Sequence, residues 1–310
     1  MKVLLLGYSD IARRRVIPAL CALGVERVDI ASISRDVIDC SASPRSQRFR
    51  AYDQALLESS ADVVYVSTVN SRHAELAEKA LDRGFHVVID KPACLGLEET
   101  RRVVQAAHDR QRCVAKATVY MYHPRFQRVL REFEDIGSQP TRITAFFSFP
   151  PRPPENFRYK ASLGGGAIWD LGPYAVTPGR VLFGRTASEI VSRSVSTAGD
   201  VDTAFSFLAT YPDQRFAVGS FGFTTEYSVF SVTWLAAGAW MTMVPEWIPS
   251  RYDNEYFPDC HEQALSGFTA SWPHGVDAAF DAVAGGYAPR AGSPTAHALG
   301  AATLGSPIIW

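Results

Sequence analysis

Short apolar runs alternate with amphipathic segments through the first third of this chain. Five of these runs predict strands at residues 2–7, 28–34, 61–68, 86–90 and 113–119. Segments with helical spacing follow most of them, as in SRHAELAEKALDRG, which ends at Gly84. Strands that alternate with helices predict a parallel, doubly wound α/β sheet. Because such sheets bind ligands beyond the carboxyl ends of their strands, functional residues are expected there.

The character of the sequence changes after about residue 118. One more helix, FQRVLREFEDIG, is followed from Arg142 by runs in which apolar and polar residues alternate, such as RITAFFSF, DTAFSFLATY and RFAVGSFGF. This alternation predicts an α+β domain with an open, mostly antiparallel sheet, and LGGGAIWDLGPYA is an insertion in it with a short helix. We therefore predict two domains, a dinucleotide-binding domain at 1–118 and a second domain at 119–310.

Composition and charge exclude several classes of protein. The chain has 31 basic and 32 acidic residues, so nothing suggests a nucleic-acid partner. The uncharged stretch 227–244 is interrupted by AAG, which predicts two strands around a turn and no membrane helix. The start MKVLLLGYSD turns polar too soon for a signal peptide. Five scattered cysteines without CxxC spacing favour reduced thiols, no metal site and a cytoplasmic location.

The turn after the first predicted strand reads GYSDIA, from Gly7 to Ala12. A dinucleotide fingerprint has the form GxGxxG at this place, and here Ser9 stands at the second glycine position. The serine Cβ would push a pyrophosphate back, while its hydroxyl could donate a hydrogen bond in exchange. We predict that this turn binds the cofactor through residues Gly7, Tyr8, Ser9, Asp10 and Ile11.

The second predicted strand ends in SISRD. An acid at this place binds the ribose hydroxyls of NAD, whereas an arginine accommodates the 2′-phosphate of NADP. Ser34 and Arg35 stand about where the acid belongs, which predicts NADP(H), with NAD(H) also possible because Asp36 is adjacent. The alternative interpretation is that Arg35 is a solvated surface residue.

Two further motifs carry candidate catalytic groups. IDKP places Lys91 at the carboxyl end of a buried strand, followed by a proline, although a lysine on an exposed loop is the common alternative. In LGGGAIWDLGPYA, Asp170 and Tyr174 are four residues apart and would share one face of a helix. The glycine triplet suggests that backbone passes close to another group or adopts positive φ. The alternative is a loop that ends at the first turn of a helix.

These motifs together resemble the Gfo/Idh/MocA oxidoreductase family. STVNSRH, ALDRGFHVVIDKP, YMYHPRFQRV and LGGGAIWDLGPYA match its order and spacing from residue 1 to about 235. Asp90, Lys91 and Pro92 stand at the family's E-K-P motif, and Asp170 and Tyr174 follow its glycine triplet. The resemblance implies a Rossmann domain and an open-sheet domain that binds substrate and often mediates dimers. The glycines would then let the chain pass close to cofactor and substrate.

The resemblance also implies roles for individual side chains. Tyr174 would be the general acid, helped by Lys91 because a free tyrosine has a pKa near 10. Asp170 would orient Lys91 or a substrate hydroxyl. The remaining cofactor contacts would come from Ser67, Thr68, Asn70, His73, Asp90, Lys91 and Trp169. Substrate contacts would come from Tyr120, His123, Arg158 and Tyr174.

The sequence therefore predicts an NADP-dependent oxidoreductase that moves a hydride between nicotinamide and a sugar-like or cyclic ketone or alcohol, as a ketoreductase in a biosynthetic pathway. One alternative is a reductase of a non-sugar C=N or C=O intermediate. Another is a non-catalytic NAD(P)-binding regulator, which Ser9 favours and the pair Lys91 and Tyr174 disfavours. The expected partners are a small-molecule substrate and further copies of the chain, as a homodimer or homotetramer formed through the C-terminal sheet.

Overall fold

A computed structural model describes residues 1–33, 46–122, 124–135, 137, 139–225, 229–236 and 239–243. These residues form two compact units, one within residues 1–123 and the other within 124–253. No helix in the described part of the chain is long and apolar enough to cross a membrane.

The first unit contains a parallel sheet with helices between its strands. Its described strands run in the order β3-β2-β1-β4-β5-β6, and all pairs are parallel. This is the order of a Rossmann dinucleotide-binding fold, so the predicted fold class is confirmed here. The strands are β1 (Lys2–Leu6), β2 (Arg27–Ala31), β3 (Arg48–Phe49), β4 (Val63–Val66), β5 (His86–Asp90) and β6 (Val114–Ala117). The helices are α1 (Ile17–Ala22), which continues a π-helical turn at Ala12–Val16, α2 (Tyr52–Glu58), α3 (His73–Asp82) and α4 (Leu97–Asp109).

Burial on both faces explains why these strands are apolar along their whole length. In β1, Leu4 and Leu6 face a core shared with α2, α3 and α4, whereas Val3 and Leu5 face one shared with α1. A parallel sheet covered on both sides has no solvent face, so its strands lose the polar–apolar alternation. The short elements β3 and α2 were not predicted, because neither has a long periodic pattern.

The second unit is a helix α5 (Pro124–Asp135), a mixed sheet and a helix α6 (Ala167–Phe183). The sheet order is β12-β11-β7-β10-β9-β8; its pairs are antiparallel except for β7 with β10. This confirms the expected open, mostly antiparallel sheet, and β11 and β12 form the hairpin predicted for the uncharged stretch. The strands are β7 (Arg142–Ser148), β8 (Glu189–Ala198), β9 (Val201–Tyr211), β10 (Arg215–Gly222), β11 (Val229–Ala236) and β12 (Ala239–Met243).

Helix α6 corrects the prediction of a short inserted helix. It is 17 residues long and packs against β7, β9 and β10, so it covers one face of the sheet. Two prolines inside it, Pro173 and Pro178, are ordinarily helix breakers and hid its length. Gly179 belongs to the packing, because a Cβ there would lie 2.2 Å from the Tyr211 hydroxyl. Tertiary contacts thus override a poor local helix propensity.

Candidate functional site

The turn after β1 lies where the strand order of the first sheet reverses, between β1 and β4. Gly7 has φ +100°, and a Cβ at this residue would lie 2.2 Å from the carbonyl oxygen of Ser67. The turn therefore passes directly over the end of β4, as only glycine permits. Dinucleotides bind doubly wound sheets at this reversal point, so the predicted position of the cofactor turn agrees with the fold.

Ser9 uses its hydroxyl inside the protein. The Ser9 Oγ accepts a hydrogen bond from the Ala12 N–H at 3.0 Å, so Ser9 acts as an N-cap for the helical turns that follow. The same oxygen lies 2.7 Å from the Ser67 Oγ, and Ser67 in turn donates to the Asp90 carboxylate. Three predicted cofactor residues thus form one continuous chain of hydrogen bonds.

Asp90 also accepts a second hydroxyl, from Tyr65 on β4. The Tyr65 Oη donates to Asp90 Oδ1 at 2.7 Å. Burial, together with the neighbouring Asp90 charge, raises the pKa of Tyr65 well above its usual value, so it remains a neutral donor. Tyr65 was missed by the sequence analysis, because it reads as one more core residue of an apolar strand.

A carboxylate only accepts hydrogen bonds, and this decides where the hydroxyl protons point. The Ser67 hydroxyl donates its proton to Asp90, so it can only accept a hydrogen bond from Ser9. The Ser9 hydroxyl therefore donates its own proton to Ser67. Donation by the Ser9 hydroxyl to a pyrophosphate, as the sequence suggested, would therefore require this hydrogen bond to Ser67 to open. In this arrangement Ser9 has no proton left to offer.

His73 is buried, and its two ring nitrogens face two loop carbonyls, of which a neutral ring donates to one. Its Nδ1 lies 2.7 Å from the Pro92 carbonyl oxygen, and its Nε2 lies 3.2 Å from that of Thr68. Burial lowers its pKa, against the opposing effect of the two backbone bonds. His73 thus braces the segment directly after Lys91, and its predicted contact with a cofactor stays a prediction.

The turn after β1 in the first unit suits the binding of a dinucleotide. Gly7 brings the turn close to β4, and the Ser9 cap leads into a helical start, where backbone N–H groups suit a pyrophosphate. The other predicted cofactor residues of the first unit differ in burial. Tyr8 and Asn70 are buried, Lys91 and Thr68 are half-buried, and Asp10 and Ile11 are exposed. Ser34 and Arg35 lie outside the described residues, so the 2′-phosphate prediction rests on the sequence.

The glycine triplet of the second unit is explained by packing within that unit. Gly164 and Gly166 have φ of +75° and +117°. A Cβ on Gly165 would lie 2.6 Å from the carbonyl oxygen of Arg158. The triplet therefore seats the start of α6 on the short helical turn Phe157–Tyr159, and the predicted approach to cofactor and substrate stays a prediction.

Asp202 on β9 caps the start of α6 from a distant part of the chain. Its Oδ2 accepts a hydrogen bond from the Ile168 N–H at 2.8 Å. A Cβ on Gly166 would lie 2.6 Å from Asp202 Oδ1, so the glycine makes room for this cap. Burial raises the pKa of Asp202, while the backbone hydrogen bonds from Ile168 and Ala167 oppose the rise. Sequence reasoning missed Asp202 because nothing local marks its partner.

Asp170 and Arg158 form a two-point ion pair. The Arg158 Nε lies 2.7 Å from Asp170 Oδ2, and its Nη2 lies 3.3 Å from Oδ1. Asp170 is buried, and the guanidinium also lies over the ring of Phe157. Sequence reasoning assigned Asp170 to Lys91 or a substrate hydroxyl, and Arg158 to the substrate. The structure pairs the two side chains with each other, and their predicted contacts with Lys91 and substrate stay predictions.

Tyr174 lies one turn after Asp170 on α6, as the spacing predicted. Its half-buried ring packs edge-on against Phe147 of β7, with 4.8 Å between the ring centroids. Trp169 on the same helix is also half-buried. Tyr120, the predicted substrate contact, is buried within the turn Val119–Tyr122 of the first unit. His123 lies outside the described residues.

The predicted site residues thus form two groups, each described within its own unit. The first unit brings together the residues around Lys91, namely Gly7, Ser9, Ser67, Thr68, His73 and Asp90. The second brings together Arg158 and Asp170, with Tyr174 on the same helix. Each group includes one segment with a side chain capable of proton transfer, Lys91 after Asp90 in the first and Tyr174 on α6 in the second.

Known proteins share both halves of this arrangement. A family model described as "Oxidoreductase family, NAD-binding Rossmann fold" matches residues 1–118, and the "GFO/IDH/MocA C-terminal domain" matches residues 134–237. The 3-ketoreductase KijD10 from Actinomadura kijaniata, solved with NADP and TDP-benzene, has a TM-score of 0.75 at 23% identity. That likeness covers 92% of this chain and 94% of that one, and it shows a shared fold.

Two curated relatives are similar in sequence. A dTDP-3,4-didehydro-2,6-dideoxy-alpha-D-glucose 3-reductase from Streptomyces violaceoruber is 31% identical, over 57% of this chain and 53% of its own length. A D-xylose 1-dehydrogenase (NADP(+)) 2 from Haloferax volcanii is 30% identical, over 67% of this chain and 65% of its own. The chain spans between about half and two thirds of the length of these relatives. With both family models matched in order, the chain belongs to the Gfo/Idh/MocA oxidoreductase family.

Proposed function

We propose that this protein is an NADP-dependent oxidoreductase that reduces the ketone of a sugar-like or cyclic substrate. The observation that carries the proposal is the setting of Lys91 in a Rossmann sheet. Lys91 follows Asp90 at the carboxyl end of β5 and precedes Pro92, and both neighbours are held. Tyr65 and Ser67 bind the Asp90 carboxylate, and His73 binds the Pro92 carbonyl. A lysine between two fixed neighbours is the kind of preorganised cation that suits a reacting carbonyl.

NADPH, when bound, supplies the hydride. Ketone reduction also requires a proton for the carbonyl oxygen, and we propose that the Tyr174 hydroxyl donates it. A cation lowers the pKa of a tyrosine from its usual value near 10, and we assign that role to Lys91, as the family resemblance implies. The pair Arg158 and Asp170 holds the first turns of α6 and thereby orients the segment that carries Tyr174.

The relatives favour a carbohydrate substrate. The one from Streptomyces violaceoruber is a reductase of a dTDP-linked keto sugar, and the one from Haloferax volcanii is a D-xylose 1-dehydrogenase. Both names thus describe a sugar substrate, nucleotide-linked in the first and free in the second. We propose the reductive role because the 3-reductases recur among the relatives.

The proposed interface between copies of the chain lies on the exposed face of the sheet in the second unit. One face is covered by α6, whereas Phe146, Val191 and Leu208 expose between 42% and 51% of their surface. Apolar exposure of this kind on one sheet face is typical of an interaction surface. We propose that two copies of the chain pair through this face, and sedimentation equilibrium would measure the mass of the assembly.

Two measurements on the purified protein test the function. Fluorescence titration measures the affinity for NADPH and NADH, and a panel of nucleotide-linked keto sugars, inosose-type cyclic ketones and free aldoses with NADP⁺ measures turnover. We expect tight NADPH binding and reduction of at least one keto sugar or cyclic ketone. NADPH binding without turnover of any panel member would favour the non-catalytic regulator. The panel also includes cyclic imines, and turnover of an imine with no ketone reduced would favour the C=N reductase.

A further inference from the structure

We propose that Ser9 is a positioning residue for Lys91. Its hydroxyl is the first link of a chain that runs through Ser67 to the carboxylate of Asp90, the residue before Lys91. The chain connects the turn after β1, where the fold places the cofactor, with the end of β5, where it places the lysine. The proposal rests on the proposed function in one respect, the role of Lys91 in turnover.

Every proton in this chain has a defined direction. Asp90 accepts from Tyr65 on one oxygen and from Ser67 on the other. Ser67 can therefore only accept from Ser9, and Ser9 accepts in turn from the Ala12 N–H. Because each hydroxyl has one proton, removal of one link leaves the next hydroxyl without its partner. The effect of a change at Ser9 is therefore transmitted to Asp90.

Burial makes the chain stiff. Ser67 exposes 1% of its surface and Tyr65 also 1%, so water has little room to replace a missing link. Gly7 contributes to the same contact, since its backbone lies directly against the carbonyl of Ser67. A shift of the turn after β1 therefore moves Ser67 and Asp90 together. Binding of a cofactor at the turn would therefore be coupled to the position of Lys91.

The same residues explain the serine at the second fingerprint position. A glycine would allow a closer approach of a phosphate, but it would leave Ser67 without a donor and the Ala12 N–H without its cap. The serine side chain reduces the space at the turn, but its hydroxyl connects the turn to Asp90 through Ser67. This predicts that Ser9 affects turnover through Lys91 more than it affects the binding of NADPH.

Three variants separate this role from others. Ser9→Ala removes both the link and the helix cap, whereas Ser67→Ala removes the link and leaves the bond from Ala12 to Ser9 in place. The double variant combines them. Ser60→Ala is the control, because the exposed Ser60 hydroxyl accepts one hydrogen bond from Arg27, outside the chain. Urea unfolding of each variant verifies that it is folded.

Two readouts are needed. Fluorescence titration gives the NADPH Kd, and steady-state kinetics give kcat for the ketone that the wild type reduces. In parallel, trace acylation followed by mass spectrometry measures the reactivity of Lys91 relative to Lys79, a half-buried lysine ion-paired with Asp53 and Glu75, with and without NADPH. Lysine reactivity follows its environment and charge state, so this second readout does not depend on any substrate.

We expect kcat to fall about tenfold in Ser9→Ala and in Ser67→Ala, with no further fall in the double variant, because a displaced catalytic group loses rate and residues of one unit are not additive. NADPH Kd should change less than about threefold, and the relative reactivity of Lys91 should change by about threefold or more in both variants. Ser60→Ala should match the wild type.

Two results would overturn the proposal. If Ser67→Ala matches the wild type in Lys91 reactivity, the chain does not position the lysine. If Ser9→Ala weakens NADPH about tenfold with kcat unchanged, the Ser9 hydroxyl is a cofactor ligand. Failure of the proposed function is a different result, in which the wild type turns over no ketone. The acylation measurement then decides the positioning role by itself.

Discussion

The guanidinium of Arg158 holds the carboxylate of Asp170 at two points, with 2.7 Å from Nε to Oδ2 and 3.3 Å from Nη2 to Oδ1. The side chain of Asp170 is 6% exposed and that of Arg158 is 23% exposed, so the pair is shielded from solvent on the carboxylate side. The pair joins the turn that bears Arg158 to the helix that bears Tyr174. Asp170 therefore acts on the position of the helix within the second unit.

Asp170→Asn should destabilise the protein by about 1–3 kcal/mol, because it leaves a shielded guanidinium with a weaker partner. Arg158→Lys should cost less, since it keeps the charge and loses the two-point geometry. Urea unfolding measures both. Arg128→Ala, which breaks the exposed pair with Glu132, is the control and should change stability by less than about 1 kcal/mol. Equal effects of Asp170→Asn and the control would show that the buried pair adds nothing.

Tyr174→Phe should keep the fold and the NADPH affinity, because only a hydroxyl is removed and the ring contact with Phe147 remains. The rate of ketone reduction should fall by roughly 10²–10⁴-fold, the range for losing a general acid. Single-turnover kinetics with pre-bound NADPH measure the chemical step. A rate close to wild type would make Tyr174 a packing residue and leave Lys91 or a water molecule as the proton source.

Lys91→Ala should reduce the rate at least as far as Tyr174→Phe does, on the order of 10²–10⁴-fold, if both side chains serve one proton transfer. The double variant should then be little slower than the slower single variant, because residues that act as a unit are not additive. The same single-turnover assay applies, with Lys79→Ala as a control, because the half-buried Lys79 pairs with Asp53 and Glu75, outside the candidate site. Multiplicative effects would show that the two residues act in separate steps.

Arg35→Ala should weaken NADPH by about 1–3 kcal/mol, the scale of a charge-assisted hydrogen bond, and leave NADH nearly unchanged. This prediction is based on the sequence, in which Ser34 and Arg35 replace the acid expected after the second strand of an NAD-binding fold. Fluorescence titration with both cofactors measures the difference. Equal losses for NADPH and NADH would show that Arg35 does not distinguish the 2′-phosphate.

His86 should make stability depend on pH. Its Nδ1 accepts the Cys113 N–H at 3.1 Å, which requires a neutral ring, and burial followed by the Arg112 charge lowers its pKa to about 4. The unfolded chain has the ordinary value near 6.5, so it binds more protons than the folded chain between these two values. The contribution of His86 is complete above pH 6.5 and is lost as the pH falls towards 4.

Between pH 7 and pH 5 the wild type should lose about 2 kcal/mol of unfolding free energy through His86. His86→Asn keeps a side-chain acceptor near the Cys113 N–H and removes the titration, so it should lose less over the same interval. Urea unfolding at pH 7, 6 and 5 compares the two proteins. Parallel pH profiles would show that His86 titrates alike in the folded and unfolded states.

Much of the architecture could be predicted from local patterns. The apolar run His86–Asp90 has the bounds of the strand predicted from it, and the alternation in 202–211 predicted β9 within one residue. The position of Lys91 at the end of a strand, and of Asp170 and Tyr174 on one helix, followed in the same way. These features depend on side-chain period and turn signals, which neighbouring residues carry.

Helix α6 shows where local patterns are insufficient. Pro173 and Pro178 argue against a long helix, yet the helix continues to Phe183 because three strands pack against it. Its first turn is capped by Asp202, 34 residues further along the chain. No sequence pattern marks such a partner.

The partners of the polar groups were likewise decided by the tertiary structure alone. Ser9 and Ser67 are 58 residues apart in the sequence, and Tyr65 and Asp90 are 25 residues apart. The parallel sheet brings them together because it aligns the carboxyl ends of β1, β4 and β5. The sequence by itself determined most of the strands and helices, though not β3, α2 or the length of α6, and it indicated which strand and helix ends carry candidate chemistry. Only the packing of distant elements decided that Ser9 donates to Ser67 and that Asp170 binds Arg158. A buried polar group must find its partner across space, and that partner is set by the whole fold.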